Sequence, residues 1–421
     1  MSENDVNQRE EFSKQILQNI NTPKELEKLY RQNKDRFKES FLNIFNQIEN
    51  QPIAQVWFER LNYPTLEANW GSKQDWIFIL TLVFVNGFIA KIPDLFSINK
   101  EFFFSRNIGF IVFPVLMIYF SRKLNLSIKS LIFPFFIVLG TIFFINSLPD
   151  KQSDILNLTV IHLPIFLWTI LGFIYVGANI RSSTPNIHYL RYNGDLVVMG
   201  VLIGLSAGLF SALTIGLFSL IGIDISEFYR NYIITWGLPA IPVFASYLIQ
   251  NNPQLVNKIS PTIASIFTPL VFVTLLIFLG TLIYTGKSLH QDREFLLLFN
   301  ALLIGVMAII IFSLSEITKT KHTKFHIWIL FGLSLLSILS NTFALNAIIV
   351  RLLQYGVTPN RMAVLGANIL IFSNLLLVSY QLFKSIKNEN SLANVEKVIG
   401  LIVPMIAIWA SIVSFIFPIV F

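Results

Sequence analysis

Residues 196–222 read LVVMGVLIGLSAGLFSALTIGLFSLIG, and no charged side chain interrupts them. Lipid offers no partner to a backbone N–H or C=O, so a segment that crosses it must satisfy both internally, as a helix of about 20 apolar residues does. This run is long enough. Working outward, apolar runs of the same kind occupy 76–96, 103–120, 130–148, 156–178, 232–249, 262–285, 294–314, 325–349, 361–383 and 396–420, separated by short polar loops. The fold expected is all-α, a polytopic transmembrane helix bundle of about 11 spans. Lys91 and Asp94 shorten the first run and Arg106 cuts into the second. If those two form a re-entrant pair, nine spans remain.

Composition agrees. Of 421 residues 54% are hydrophobic and 13% charged, against roughly 45–50% and about 25% in soluble domains. Phe alone contributes 40. A soluble globular enzyme is excluded, because too few polar residues exist to cover its surface. The chain has no Cys, which removes disulfides, thiolate metal sites and Cys nucleophiles. The net charge of +7 follows from Lys and Arg retained on short cytoplasmic loops. No basic stripe with interleaved aromatics points to nucleic acid.

Residues 1–75 form a separate module and 76–421 the membrane domain. The polar N-terminus has no apolar core of a cleavable signal, so the first span is expected to act as an uncleaved anchor. Thr22-Pro23-Lys24-Glu25 has the form of a capping box. Behind it Leu26, Leu29, Tyr30, Phe37, Phe41, Ile44, Phe45 and Ile48 mark one face of an amphipathic helix. That face packs within its module or on the membrane domain, or it engages a cytoplasmic protein partner through residues 23–49. The Lys and Arg bias of the loops, including Arg122, Lys123, Lys319, Lys321 and Lys384, places the N-terminus in the cytoplasm and the C-terminus outside.

Three features carry candidate chemistry. In the fifth span Gly200, Gly204, Gly208, Ala212 and Gly216 put small residues on one helix face, a packing surface within the chain or in a homo-oligomer. Between the ninth and tenth spans lies Arg351-Leu-Leu-Gln-Tyr355-Gly356-Val-Thr358-Pro359-Asn360-Arg361. Gly356 suits a left-handed helix end, Thr358 an N-cap and Pro359 the first helical position. Free N–H groups beside Arg351 and Arg361 attract an anion or a lipid headgroup, with Tyr355 and Asn360 shaping the site. The same cations also suit lipid phosphates at the interface. Third, Asn300, Asn341, Asn346, Asn368 and Asn374 make the late spans polar, through interhelical hydrogen bonds or a polar cavity.

The Tyr355-Gly356-x-Thr358-x-x-Arg361 element, with Arg351 four residues before the Tyr, resembles the bacterial multi-pass family of unknown function DUF4153. The stretch from Gly194-Asp195 to Ile221-Gly222 is similar to that family's middle region. The resemblance covers 76–421 and implies a bacterial inner-membrane protein. It supplies no catalytic residues.

No P-loop, GxSxG or HExxH occurs, and no metal or cofactor is expected. His322 and His326 stand in a basic loop. No Asp or Glu falls in mid-span, which argues against ion coupling. The expected function is a permease or a lipid- or anion-handling protein with its site near the turn between spans nine and ten. The alternative is a structural or signalling protein acting through its N-terminal helices. A membrane transferase would have to use Asp195 or Glu316.

Overall fold

The computed structural model describes residues 12–62, 70–151, 153–177, 183–220, 223–285, 293–317, 324–387 and 392–421. The chain divides into two compact units, Met1–Ala68 and Asn69–Phe421.

The first unit holds helices α1 (12–18), α2 (Pro23–Gln32), α3 (Lys34–Ile48) and α4 (Pro52–Asn62). The single amphipathic helix expected over 23–49 is two helices. Asn33 takes an extended backbone, and its side chain accepts the Arg36 N–H at 3.0 Å, capping α3. The capping box at Thr22 does not form, because its hydroxyl donates backwards to the Asn19 carbonyl at 2.9 Å. Leu26, Phe37, Phe41, Ile44 and Ile48 are buried with Ile16, Ala54, Trp57 and Leu61. The apolar face therefore covers the unit's own core. Outside it, Glu27 meets Arg31 and Arg60, each at 2.8 Å. The Arg31 hydrogen bond, with Arg60 beside it, holds the Glu27 carboxyl below its ordinary range.

The second unit is helical throughout its described residues. Its helices are α5 (Lys73–Leu95), α6 (Lys100–Lys123), α7 (Ile128–Ser147), α8 (Asp154–Tyr175), α9 (Ser183–Leu220), the short α10 (Ser226–Phe228), α11 (Thr235–Asn251), α12 (Pro253–Thr285), α13 (Arg293–Ile317), α14 (Lys324–Tyr355), α15 (Pro359–Lys387), α16 (Leu392–Gly400), α17 (Ile402–Ser411) and α18 (Phe417–Val420). Wider π-turns at Tyr229–Ile234 and Ile412–Ile416 join α10 to α11 and α17 to α18. Ten helical segments are long and apolar enough to cross a membrane, and α13 adds a shorter apolar stretch, Phe299–Leu314. The chain is a multi-pass membrane protein.

Its surface and interior are the reverse of a soluble protein's. Phe133, Phe135, Phe136, Phe143, Leu205, Phe210, Leu270 and Ile277 are exposed, while Asn86, Asn107, Thr159, Ser246, Asn341 and Asn374 are buried. Lipid solvates the first set, and only other helices can satisfy the second. Asn107 and Asn146 exchange two amide hydrogen bonds of 2.9 Å between α6 and α7. The Tyr192 and Ser246 hydroxyls meet at 2.7 Å between α9 and α11.

The first two runs are not a re-entrant pair. They form continuous helices of 23 and 24 residues. Arg106 sits within α6 at no break, because it serves a neighbour. Its guanidinium, 3% exposed, donates to the Ile145, Leu148 and Pro149 carbonyls at 2.7, 2.8 and 3.1 Å. It thus neutralises the C-terminus of α7. The fifth span also starts earlier than its apolar run: α9 begins at Ser183 and carries Arg191 and Asp195 inside the helix.

Small residues do admit close packing, but against rings and at isolated positions. A Cβ on Gly87 would lie 2.1 Å from the Trp236 ring, and one on Gly366 2.1 Å from Trp409. In the spaced row of the fifth span, Gly200 and Gly204 approach only Ile241, at 3.6 and 3.7 Å. Gly208 and Gly216 meet no side chain within 4 Å, and Ala212 is exposed. The packing expected of that row within the chain thus stops after its second member.

Gly366→Val is expected to destabilise the protein by about 1–3 kcal/mol through overpacking. Gly208→Val should stay within about 0.5 kcal/mol. Thermal unfolding of both in the same detergent checks the contrast, and equal effects would refute this account of the glycines.

Candidate functional site

The turn between α14 and α15 forms as its residues dictate. Gly356 takes φ +76, its N–H closes on the Leu352 carbonyl at 3.0 Å, and Thr358 Oγ1 accepts the Arg361 N–H at 3.4 Å. The Arg361 guanidinium is turned to the chain itself. One of its nitrogens donates to the Tyr355 carbonyl at 2.7 Å and to that of Gly356. It closes the end of α14 by supplying donors to two carbonyls that the helix leaves free. Tyr355, 62% exposed, lies between two cations, with its ring centre 5.5 Å from Arg361 and 6.0 Å from Arg351. Asn360 is half-buried in the first turn of α15.

The five asparagines separate into three groups. Asn300 of α13 accepts from Asn368 of α15 at 2.6 Å, and both are buried. Asn346 is exposed and joins nothing in the interior. Asn341 and Asn374 are fully buried. From the α14–α15 turn they lie about 21 Å and about 22 Å along their helices at roughly 1.5 Å per residue, so they share a depth. Both polar atoms of the Asn341 amide, and the carbonyl oxygens of Asn368 and Asn374, have no hydrogen-bond partner within the described residues. Ser334 and Ser337, on the same buried side of α14, bond back to Phe331 and Leu333 of their own helix at 2.7 Å. They add a buried polar face and no tie.

Beside this cluster the last span is kinked at Leu401, a single turn residue between α16 and α17 whose backbone stays right-handed helical. Pro404 has no N–H for the carbonyl four residues earlier, which is that of Gly400, and α16 ends there. Asn186 of α9 donates to the freed Gly400 carbonyl at 3.2 Å, and Asn374 to Val398 at 3.4 Å. Arg191 of α9 forms a close ion pair with Glu396 of α16, both largely buried. These four side chains hold the kink. Sequence reasoning placed Arg191 in a loop and named neither Asn186 nor Glu396. The signal available was Gly400-x-x-x-Pro404 inside an apolar run, with an amphipathic helix start at 183–195. On the other side of the kink an apolar cavity of about 500 Å³ lies between α8, α9, α12, α13 and α17, lined by Gly194, Ala308, Phe312, Ile402 and Ile406.

The remaining candidates stand apart. Asp195 is buried within α9, far along the chain from the α14–α15 turn. The Glu316 side chain and His322 lie outside the described residues. Among the described residues, no three of His, Asp and Glu gather as metal ligands would. The site has amides that donate and accept without net charge, a cationic turn, and a kink in a spanning helix. No protein-family model, curated protein or solved structure matches the chain.

Arg361→Gln should lower stability by about 1–3 kcal/mol, the worth of hydrogen bonds from a charged group, whereas Asn360→Ala should change it by under about 0.5 kcal/mol. Thermal unfolding in detergent decides. A neutral Arg361→Gln would mean that the guanidinium does not hold the turn.

Proposed function

We propose that the protein is a permease for a small polar solute, whose route runs among α13, α14, α15 and α16. The observation that carries this reading is the Asn341 amide, wholly buried at mid-span with both polar atoms unpartnered among the described residues. Each such atom costs about 1–3 kcal/mol unless water or a guest satisfies it. The proline kink between α16 and α17 frees the Gly400 carbonyl, which takes a side-chain donor from Asn186 and adds polar surface beside the cluster in support of the reading. The cavity beside Ile402 and Ile406 gives α17 room to rearrange. Because the cluster is uncharged, the solute is neutral, or an anion drawn to the mouth by Arg351 and Arg361. The resemblance to DUF4153 and the loop charges support a bacterial inner membrane, with the N-terminal unit in the cytoplasm and the α14–α15 turn outside.

The absence of Cys makes the test direct. Single variants Asn341→Cys, Asn374→Cys and Thr358→Cys are exposed to a membrane-impermeant thiol reagent, first in intact cells and then in inverted vesicles. Thr358→Cys should react only in cells, and the two interior positions from at least one side. Full protection of both interior positions from both sides, in folded protein, would overturn the permease reading.

A further inference from the structure

A second site lies at the opposite end of the helices from the α14–α15 turn, where α5 begins and α6 and α11 end. The chain antecedent to α5 is fixed there. Gly71 takes φ +74, and the Tyr247 hydroxyl donates to the Trp70 carbonyl at 2.6 Å. Ser72 and Asp75 make a full capping box: the Ser72 N–H and hydroxyl reach the Asp75 carboxylate at 2.9 and 2.7 Å, and the Asp75 N–H returns to Ser72 Oγ at 3.2 Å. One carboxylate oxygen is therefore anchored.

These elements enclose a cavity of about 200 Å³ lined by Asp75, Phe78, Tyr119, Arg122, Lys123 and Asn251, among others. At about 30 Å³ per water this holds roughly seven waters' worth of volume. Its charges are mixed and held in place. The Arg122 guanidinium lies 4.1 Å over the Phe78 ring, and Lys123 donates to Asn251 at 3.2 Å. Both cations lie within electrostatic reach of Asp75, yet neither forms an ion pair with it among the described residues. Tyr119 is buried and lines the cavity. Two cations and a carboxylate that line one cavity without pairing among the described residues fit one ligand carrying both signs.

We propose that this cavity binds a phosphate ester bearing a primary ammonium. Arg122 and Lys123 take the phosphate, and Asp75 takes the ammonium, with the Phe78 and Tyr119 rings beside it. Helix ends of spanning segments lie at headgroup depth, so the ligand is the headgroup of an ethanolamine phospholipid or free phosphoethanolamine. The site is independent of the solute route.

The test uses the full chain in nanodiscs of equal parts phosphatidylethanolamine and phosphatidylglycerol, with native mass spectrometry reporting the lipids retained. The intact protein should retain the ethanolamine lipid over the glycerol lipid by about tenfold, the worth of one charge-assisted hydrogen bond. Asp75→Asn, which keeps a capping side chain, should bring the ratio near one while retaining lipid. Arg122→Gln with Lys123→Gln should lose both lipids while the protein still folds and unfolds cooperatively. Release of the lipid by free phosphoethanolamine would identify the soluble ester as the ligand, and resistance to it the lipid; both fit the proposal. No preference in the intact protein, or a preference that survives both sets of substitutions, would overturn it.

Discussion

Lipid supplies no water to a backbone carbonyl that has lost its helical partner. In this molecule such carbonyls arise at helix ends and four residues before prolines, and side chains from neighbouring helices reach them. Arg106 crosses from α6 to the end of α7. Asn86 crosses from α5 to the Pro239 carbonyl in the proline-rich start of α11 at 3.0 Å. Asn186 crosses from α9 to Gly400. Arg361 turns back onto the end of its own hairpin. The contacts of Arg106, Asn186 and Arg361 satisfy carbonyls that their helices leave free, that of Asn86 adds a tie to a carbonyl inside α11, and three of the four also fix which helix lies beside which. Satisfying the backbone and specifying the bundle are one act here.

Packing complements this. At several helix contacts a glycine faces a large ring: Gly87 with Trp236, Gly172 with Tyr189, Gly194 with Phe312, Gly366 with Trp409. A ring fills the flat space that a missing Cβ leaves, and dispersion at that contact replaces the hydrophobic drive absent between helices in lipid. A repeated row of small residues would serve two smooth helices. Among the described residues, Ile241 is the side chain that approaches Gly200 and Gly204 of that row.

Fold class was legible because hydropathy states it over long windows. Each of the eleven apolar runs has its main part in a helix, and Gly356, Thr358 and Pro359 announce the α14–α15 turn by their local preferences. What was not legible depends on partners far along the chain. Arg106 looked like an interruption, because its three carbonyls lie about forty residues away in α7 and the loop after it. The start of α9 looked like a loop, because Arg191 is tolerable in a buried helix only with Glu396 opposite it. Asn33 was hidden by an apolar periodicity that continues in phase across the break. For the asparagines, their place in the late spans was legible, whereas the pairing of Asn300 with Asn368, the isolation of Asn341 and the exposure of Asn346 required the fold.

The 38-residue α9 is about 57 Å long, against a hydrocarbon core of about 30 Å. Its first part, with Asn186, Tyr189, Arg191 and Asp195, is gripped by the bundle, whereas residues 205–210 and 212–213 are exposed. Mechanically it is a beam clamped at one end. Bending by lipid at the free arm arrives at the clamp as torque, and the clamp includes Asn186 on Gly400 and Arg191 on Glu396. Membrane thickness and lateral pressure therefore have a lever arm on the kinked span.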